Sequence, residues 1–286
     1  MLTQTELLKR APSIFTSEPY DKVSENYKMI RTYDVVDALV DEGFVVTHAQ
    51  QSNVRAVDRR PYAKHMLRFR RADAYQPTGE HKFFERGTEP IVPEAVVWNS
   101  HGYPSSAYHV DCGVFSFICA NGCIIKQADF GGFRVLHKGN DVIEQVINSV
   151  KYVTDQIERI SGVVNSWRTL YLTDYEQLHL AEGILKARYG DLKRSPILPE
   201  TLLQTRRDVD RESNTLWTKF NVMQENVMKG GQNSGLRGEK RLRTTRAIRG
   251  TNETIRFNQE AWQVAADLYD RITNVKRESS EIIEIA

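Results

Sequence analysis

The chain has 286 residues, 40% hydrophobic and 27% charged, so it can bury a sizeable core and is not a disordered segment. Its formal net charge at pH 7 is only +2, which by itself excludes neither acidic nor basic partners. The three cysteines lie in one apolar stretch without the spacing of a disulfide framework, which indicates a reducing compartment. The first residues lack a secretory signal, and no apolar run approaches the ~18 residues of a membrane span. We therefore expect a cytoplasmic protein without membrane contact.

The first half of the chain has the pattern of helices followed by an antiparallel β-meander. A short helix is expected at Thr5–Arg10, and a stronger one begins at Thr32 and ends where Gly43 supplies a left-handed C′ residue. The most apolar stretch, Trp98–Lys126, has the pattern of a hairpin at the centre of a sheet. Four strands are predicted, at Phe44–Ala49, Lys64–Arg71, Glu94–Trp98 and Tyr108–Ile125.

The second half has a helical period. Apolar residues recur at three- and four-residue spacing from Asp141 to Ile160 and predict one long amphipathic helix. Further helices are predicted at Thr173–Tyr189, Glu200–Arg206, Thr215–Met228 and Asn258–Thr273. We therefore expect an α+β fold, with an antiparallel β-meander sheet backed by helices in residues 1–140. A mainly helical region, residues 141–286, packs on the sheet and contains a flexible basic loop at 229–250.

Positive charge is concentrated in two segments, the first of which covers the predicted strand at 64–71. Between residues 54 and 71 only one acid, Asp58, accompanies seven basic residues: Arg55, Arg59, Arg60, Lys64, Arg68, Arg70 and Arg71. Such segregation is typical of a polyanion-binding groove, because each neutralised phosphate releases counterions. The rings of Tyr62 and Phe69 are candidates for stacking on unpaired bases. The alternative is a solvated edge strand whose charges prevent aggregation.

Arg68 and Arg70 share one side of the predicted strand. On the groove hypothesis, replacing both with alanine lowers nucleic-acid affinity uniformly and leaves the fold intact.

The second basic segment is the glycine-rich loop, in which Lys240, Arg241, Arg243 and Arg246 are candidate DNA clamps. The P-loop pattern is absent, so no nucleotide hydrolysis is expected. Arg134 and Lys138 precede the long predicted helix, whose N-terminus also favours phosphate, although they can equally form a polar turn.

Other chemistries are less well supported by the residues. The carboxylates of Glu94, Asp111, Asp129 and Asp141 could bind Mg²⁺ as in a nuclease, but their spacing matches no compact motif. Cys119 and Cys123 have a permitted zinc spacing without a second close pair, and nothing marks Cys112 as a nucleophile. No metal or cofactor site and no catalytic residue are therefore expected.

Several short blocks together resemble a known family. They are Asn99-Ser100-His101, Ser106-Ala107-Tyr108, Gly113-Val114-Phe115, Cys119–Gly122, His137-Lys138-Gly139, Asn221–Asn226, Lys229-Gly230-Gly231 and Thr245–Ile248. On these blocks the chain is identified as a member of the phage/plasmid-like proteins, a family described as a domain of unknown function. This resemblance implies a protein of mobile genetic elements that acts in a bacterial cytoplasm.

The order of elements, with the helix-to-strand join at Gly43-Phe44, is also similar to the core of phage single-strand annealing proteins of the Erf, Red-beta and Rad type. That similarity implies single-stranded DNA as partner, a homo-oligomeric ring or filament, and a phage exonuclease as a further candidate partner. The expected function is thus sequence-independent binding and annealing of single-stranded DNA in recombination. The alternatives are a metal-dependent nuclease or other nucleic-acid enzyme, and a non-catalytic interaction protein that counters a host system.

Overall fold

The computed structural model describes residues 2–23, 25, 27–73, 91–102, 107–116, 123–125, 132–138, 140–233 and 244–285. The chain divides into two compact units. Residues 1–83, 90–160 and 250–255 form the first, and residues 84–89, 161–249 and 256–286 form the second. The division at residue 160 therefore comes later than the predicted boundary at 140.

The first unit contains a six-stranded antiparallel sheet. Five strands follow in chain order across the sheet, and the sixth pairs with the fourth beside the fifth. The predicted α+β meander is confirmed. The strands are β1 Phe44–Gln51, β2 His65–Arg71, β3 Ile91–Asn99, β4 Ala107–Ser116, β5 Cys123–Ile125 and β6 Phe133–Leu136.

The helices also follow the sequence signals. Thr173 caps its helix in a capping box with Glu176, and Gly43 has φ +84°, as a left-handed C′ residue requires. In the described part of the chain, no helix combines the length and apolarity that a bilayer crossing needs. The helices are α1 Gln4–Arg10, α2 Thr32–Asp41, α3 Val142–Asp155, α4 Ile157–Thr169, α5 Asp174–Tyr189, α6 Pro199–Leu202, α7 Leu216–Lys229 and α8 Thr251–Ile285.

Several elements differ from the predictions: α6 ends four residues earlier than predicted, α8 begins seven residues earlier, and two further differences lie between the sheet and the helices. The single long helix is interrupted at Gln156, just after Thr154 donates its hydroxyl to the carbonyls of Val150 and Lys151. Such back-bonding competes with the helix's own hydrogen bonds and bends it. The stretch predicted as a turn before this helix contains β6, which pairs with β4 from Ala107 to Val110.

The second unit is built around an aromatic cluster. The ring centroid of Trp167 lies 4.3 Å from that of Trp262 and 5.7 Å from that of Phe220. All three side chains are at most 1% exposed. Such rings bury large apolar areas, so they form the core that holds α4, α7 and α8 together.

In the first unit, β2 has two different faces. Leu67 and Phe69 are fully buried on one face, whereas Arg68 and Arg70 lie on the other. Both guanidinium groups meet the carboxylate of Glu94 on β3, which is 1% exposed, and the Arg70 Nη2–Glu94 Oε1 distance is 2.7 Å. Thr47 on β1 also donates its hydroxyl to Glu94, over 3.0 Å. A single buried carboxylate therefore pairs with both arginines on this part of the strand.

A hydrogen-bonded network joins the N-terminal segment to the strand ends. His65 contacts the hydroxyls of Ser13 and Thr32 through its two ring nitrogens, over 2.9 and 2.8 Å. Asn99 donates its amide to Thr32, and its Oδ1 lies 2.8 Å from His137 Nε2. Since Oδ1 accepts only, Nε2 of His137 carries the proton. All five side chains are buried.

Three further rings, those of His101, Tyr27 and Tyr108, complete this histidine network. The fully buried His101 lies 5.2 Å from His65 between ring centroids, and Tyr27 and Tyr108 stack on His137 at 4.9 and 4.8 Å. Burial lowers the pKa of His101 and of His137 to about 4 and the pKa of His65 well below its ordinary value. The three rings are therefore neutral at physiological pH.

The Glu94 ion pairs give a stability prediction. Replacing Glu94 with glutamine removes the charge that faces the buried guanidinium of Arg70 and the half-buried one of Arg68, so the free energy of unfolding should fall by about 3–5 kcal/mol. The matched control is Asp155→Asn, because the Asp155–Arg71 pair is 60% and 43% exposed and is expected to contribute less than about 1 kcal/mol. Equal losses in urea denaturation of the two variants would contradict this assignment.

The histidine network gives a pH prediction. The unfolded chain binds protons near a pKa of 6.5 where the buried rings do not, so stability should fall as pH decreases from about 7 to about 4. For one histidine with a pKa of about 4, the loss is about 3 kcal/mol. We expect urea denaturation across this range to give a flatter pH profile for His101→Gln. An unaltered profile in His101→Gln would contradict the prediction.

Candidate nucleic-acid interface

The first group of predicted cations lies on the connection between β1 and β2, residues 52–64. The connection contains a 3-10 helix, Val57–Tyr62. Arg55, two residues before this helix, and Arg60, within it, are both exposed. No carboxylate in the described part of the chain forms an ion pair with either. Arg59 is half-buried, and Arg60 Nε donates to the carbonyl of Val54 over 3.2 Å. The connection therefore presents positive charge at the surface.

This connection is anchored at both ends. The backbone N–H of Ser52 donates to the carbonyl of Lys64 over 2.7 Å, and Thr16 donates its hydroxyl to Pro61. The ring of Tyr62 packs against Tyr20 with centroids 5.2 Å apart and is half-buried. The ring of Tyr62, a candidate for stacking on bases, therefore already contacts Tyr20 and supports the connection.

Lys64, which ends the connection, contacts an aromatic pair on the sheet. Its Nζ lies 3.4 Å from the ring centroid of Trp98 on β3. His109 on β4 stacks on Trp98 with centroids 3.6 Å apart and planes 3° from parallel. The Trp98 indole N–H donates to the Asp111 carboxylate over 2.8 Å, and Arg134 on β6 is directly opposite His109.

The environment sets the charge of these groups. Burial lowers the pKa of Lys64 to about 8, and the Asp111 carboxylate opposes that shift. Burial, with the positive charges of Lys64 and Arg134, lowers the pKa of His109 to about 4. His109 is therefore a neutral planar ring between two cationic residues at physiological pH.

The predictions for β2 itself need correction. Phe69 is fully buried in the core, so the prediction that its ring stacks on bases is wrong. Arg68 and Arg70 face Glu94, and replacing them with alanine is expected to destabilise the protein, not to leave its fold intact. Arg71 pairs with Asp155 and lies 5.5 Å from the ring of Phe44.

The second basic segment belongs to the second unit. Lys240, Arg241 and Arg243 lie outside the described residues, and Arg246 is exposed. The chain on either side of residues 234–243 is paired, with a bridge between Asn233 and Thr244. The Gly231 N–H donates to the carbonyl of Thr245, over 2.8 Å. The base of the loop is therefore held by regular backbone hydrogen bonds.

Two features explain why this base is formed. A Cβ at Gly230, which has φ +62°, would lie 2.5 Å from the backbone nitrogen of Ala247, so only glycine fits. The fully buried Asn226 accepts from Arg206 and Gln232, over 2.6 and 2.7 Å, and donates to the backbone carbonyls of Leu202, at the end of α6, and Gln204. Its amide thus fixes three segments around the loop.

The remaining candidate residues are Lys138, which follows β6, and the carboxylates that were considered as Mg²⁺ ligands. Lys138 is exposed, and its backbone N–H donates to Leu136. Glu94 and Asp111 face Arg68, Arg70 and Trp98, and Asp129 lies outside the described residues. Among the described residues, no group of three or more His, Cys, Asp or Glu side chains could hold a metal ion. The nuclease alternative therefore lacks a ligand set in this part of the chain.

Sequence reasoning missed both the aromatic pair and the histidine network. Trp98 and His109 are 11 residues apart, and only the register of β3 with β4 places them side by side. For the network a signal was available: Asn99, His101, Tyr108 and His137 all belong to the blocks that carry the family resemblance. These four residues meet in a buried network, so the blocks that contain them stabilise the fold.

Comparisons with known proteins show a family described as a domain of unknown function. The family model described as "Domain of unknown function (DUF932)" matches residues 19–262. The UPF0380 protein YfjQ of Escherichia coli K12 is 37% identical over 272 residues, which cover 95% of this chain and 93% of that protein. The UPF0380 protein YafZ of the same organism is 36% identical over 271 residues, with the same coverage. No solved structure matches significantly. The chain belongs to the DUF932 family.

Proposed function

We propose that this protein binds single-stranded DNA without sequence preference and promotes the annealing of complementary strands. The observation that carries the proposal is the exposed positive charge of the β1–β2 connection, where Arg55 and Arg60 are accompanied by one acid, Asp58. Phosphates bound there release counterions, which supplies affinity whatever the bases are. Arg134, Lys138 and Arg246 are further exposed cations on the two units.

Annealing needs no acid, base or nucleotide hydrolysis from the protein. Neutralising the phosphates reduces the repulsion between two strands, and base pairing selects the correct partner. A single copy contacts few nucleotides, so a homo-oligomer, either a ring or a filament, would supply avidity along the strand. An exonuclease that produces single strands is the corresponding partner. We place this activity in the cytoplasm of a bacterium that carries a phage or plasmid.

The connection gives a direct test of the proposal. We expect the double variant Arg55→Gln, Arg60→Gln to bind oligonucleotides of different sequence uniformly more weakly than the wild type. The slope of log K against log salt should become shallower by about 1.4, since each contact with a single strand contributes about 0.7. Fluorescence anisotropy over a salt series measures both effects.

The control is Lys193→Gln, Arg194→Gln, which removes two exposed cations from the second unit without changing the connection. It should retain the wild-type affinity and salt slope. Annealing of complementary strands without nucleotide should decrease in the first variant only. Failure of the wild type to bind single-stranded DNA at low salt would refute the proposal.

A further inference from the structure

Three strands of the sheet, together with Lys64 just before β2, present one continuous row of aromatic and cationic side chains. The register pairs Met66 with Trp98, Trp98 with His109, and His109 with Arg134, and Lys64 is diagonal to Trp98. Side chains paired in this way lie on the same face of the sheet, with Cβ atoms about 5 Å apart. The row therefore runs from a lysine through two flat rings to an arginine.

The two rings are held in place before any ligand arrives. Asp111, 6% exposed, accepts the indole N–H of Trp98 over 2.8 Å and fixes the orientation of that ring. The His109 ring is 3° from parallel to it. Rings so fixed lose little conformational entropy when a third planar group is added to the stack.

The accessible end of the row is the end at His109. Lys64 contacts the ring of Trp98, and His109 stacks on it. The indole therefore already has two neighbours within the protein. Arg134 is exposed, Gly132 on the same side is exposed, and Leu136, two residues further along β6, is 46% exposed. A planar ligand can therefore approach the imidazole beside Arg134.

We infer that Trp98 and His109 form a stacking platform for a base of single-stranded DNA, with Arg134 and Lys64 in contact with the adjacent phosphates. This inference rests on the proposed function and names the residues that contact the bases. Stacking on a neutral ring tolerates any base, because every base has a π-face. The platform therefore adds affinity without sequence preference and is continuous, through Lys64, with the basic connection.

Tryptophan fluorescence tests the inference in the unmodified protein. The chain has four tryptophans, and Trp167, Trp217 and Trp262 are at most 3% exposed. A change on addition of oligo(dT) should therefore come from Trp98 and should be absent in Trp98→Phe. Binding detected by anisotropy without any change in the wild-type emission would overturn the inference.

Substitutions separate stacking from charge. His109→Ala should lower the affinity for oligo(dT) about 5- to 100-fold and leave the salt slope unchanged. Arg134→Gln should make the slope shallower by about 0.7. His109→Tyr keeps a flat ring at the same position and should restore most of the affinity. The matched controls are Tyr175→Ala, an exposed aromatic residue of the second unit, and Arg211→Gln, an exposed arginine there.

The outcomes distinguish the platform from the proposed function. Weak binding by Arg55→Gln, Arg60→Gln together with normal binding by His109→Ala and Arg134→Gln would overturn the platform and leave the function in place. Absence of any DNA binding by the wild type would overturn both. A loss in His109→Ala that Tyr175→Ala shares would also overturn the platform.

Discussion

The alternation of side chains along β2 and β3 is the constraint on which the first unit depends. One face of β2 supplies fully buried apolar residues to the core, so every intervening residue is directed to the opposite face. Arginines placed there by the two-residue period require a counter-charge where they are buried, and Glu94 supplies it. At the other end of the strand the corresponding neighbour is Trp98, and Lys64 contacts its ring. The same period thus creates a neutralised end and a cationic, aromatic end on one face.

The histidine network performs a different task, although it uses residues that are often functional. His65 and His137 are buried, and the hydroxyls of Ser13 and Thr32 and the amide of Asn99 provide the polar contacts that burial demands. His65 holds Ser13 and Thr32, and His137 stacks on Tyr27, so these neutral rings hold the N-terminal chain against the ends of the strands. Polar residues in a sequence block therefore need not mark a reactive centre, because a buried network also specifies a unique arrangement.

The fold could be predicted further than the site. Local signals sufficed for the helix caps at Thr173 and Gly43, which depend on neighbours within a few residues, and the apolar pattern within each longer strand predicted the meander. The strand β6 was missed because its four residues have no pattern of their own. The burial of Phe69 was not predicted because it lies between two arginines, Arg68 and Arg70, which gave the segment the pattern of an exposed basic strand. Which arginines are neutralised depends on Glu94, 24 and 26 residues away.

The distribution of charge, not its amount, decides what the basic segments can bind. Of the seven cations between residues 54 and 71, three form ion pairs with carboxylates, Arg68, Arg70 and Arg71. An ion pair that is already formed must be broken before its cation can bind a phosphate, and for a buried pair this costs several kcal/mol. Exposed cations carry no such cost, so the positive charge available to a polyanion lies on the connection and not on the strand. A basic strand in a sequence is therefore weaker support for nucleic-acid binding than the basic loop that precedes it.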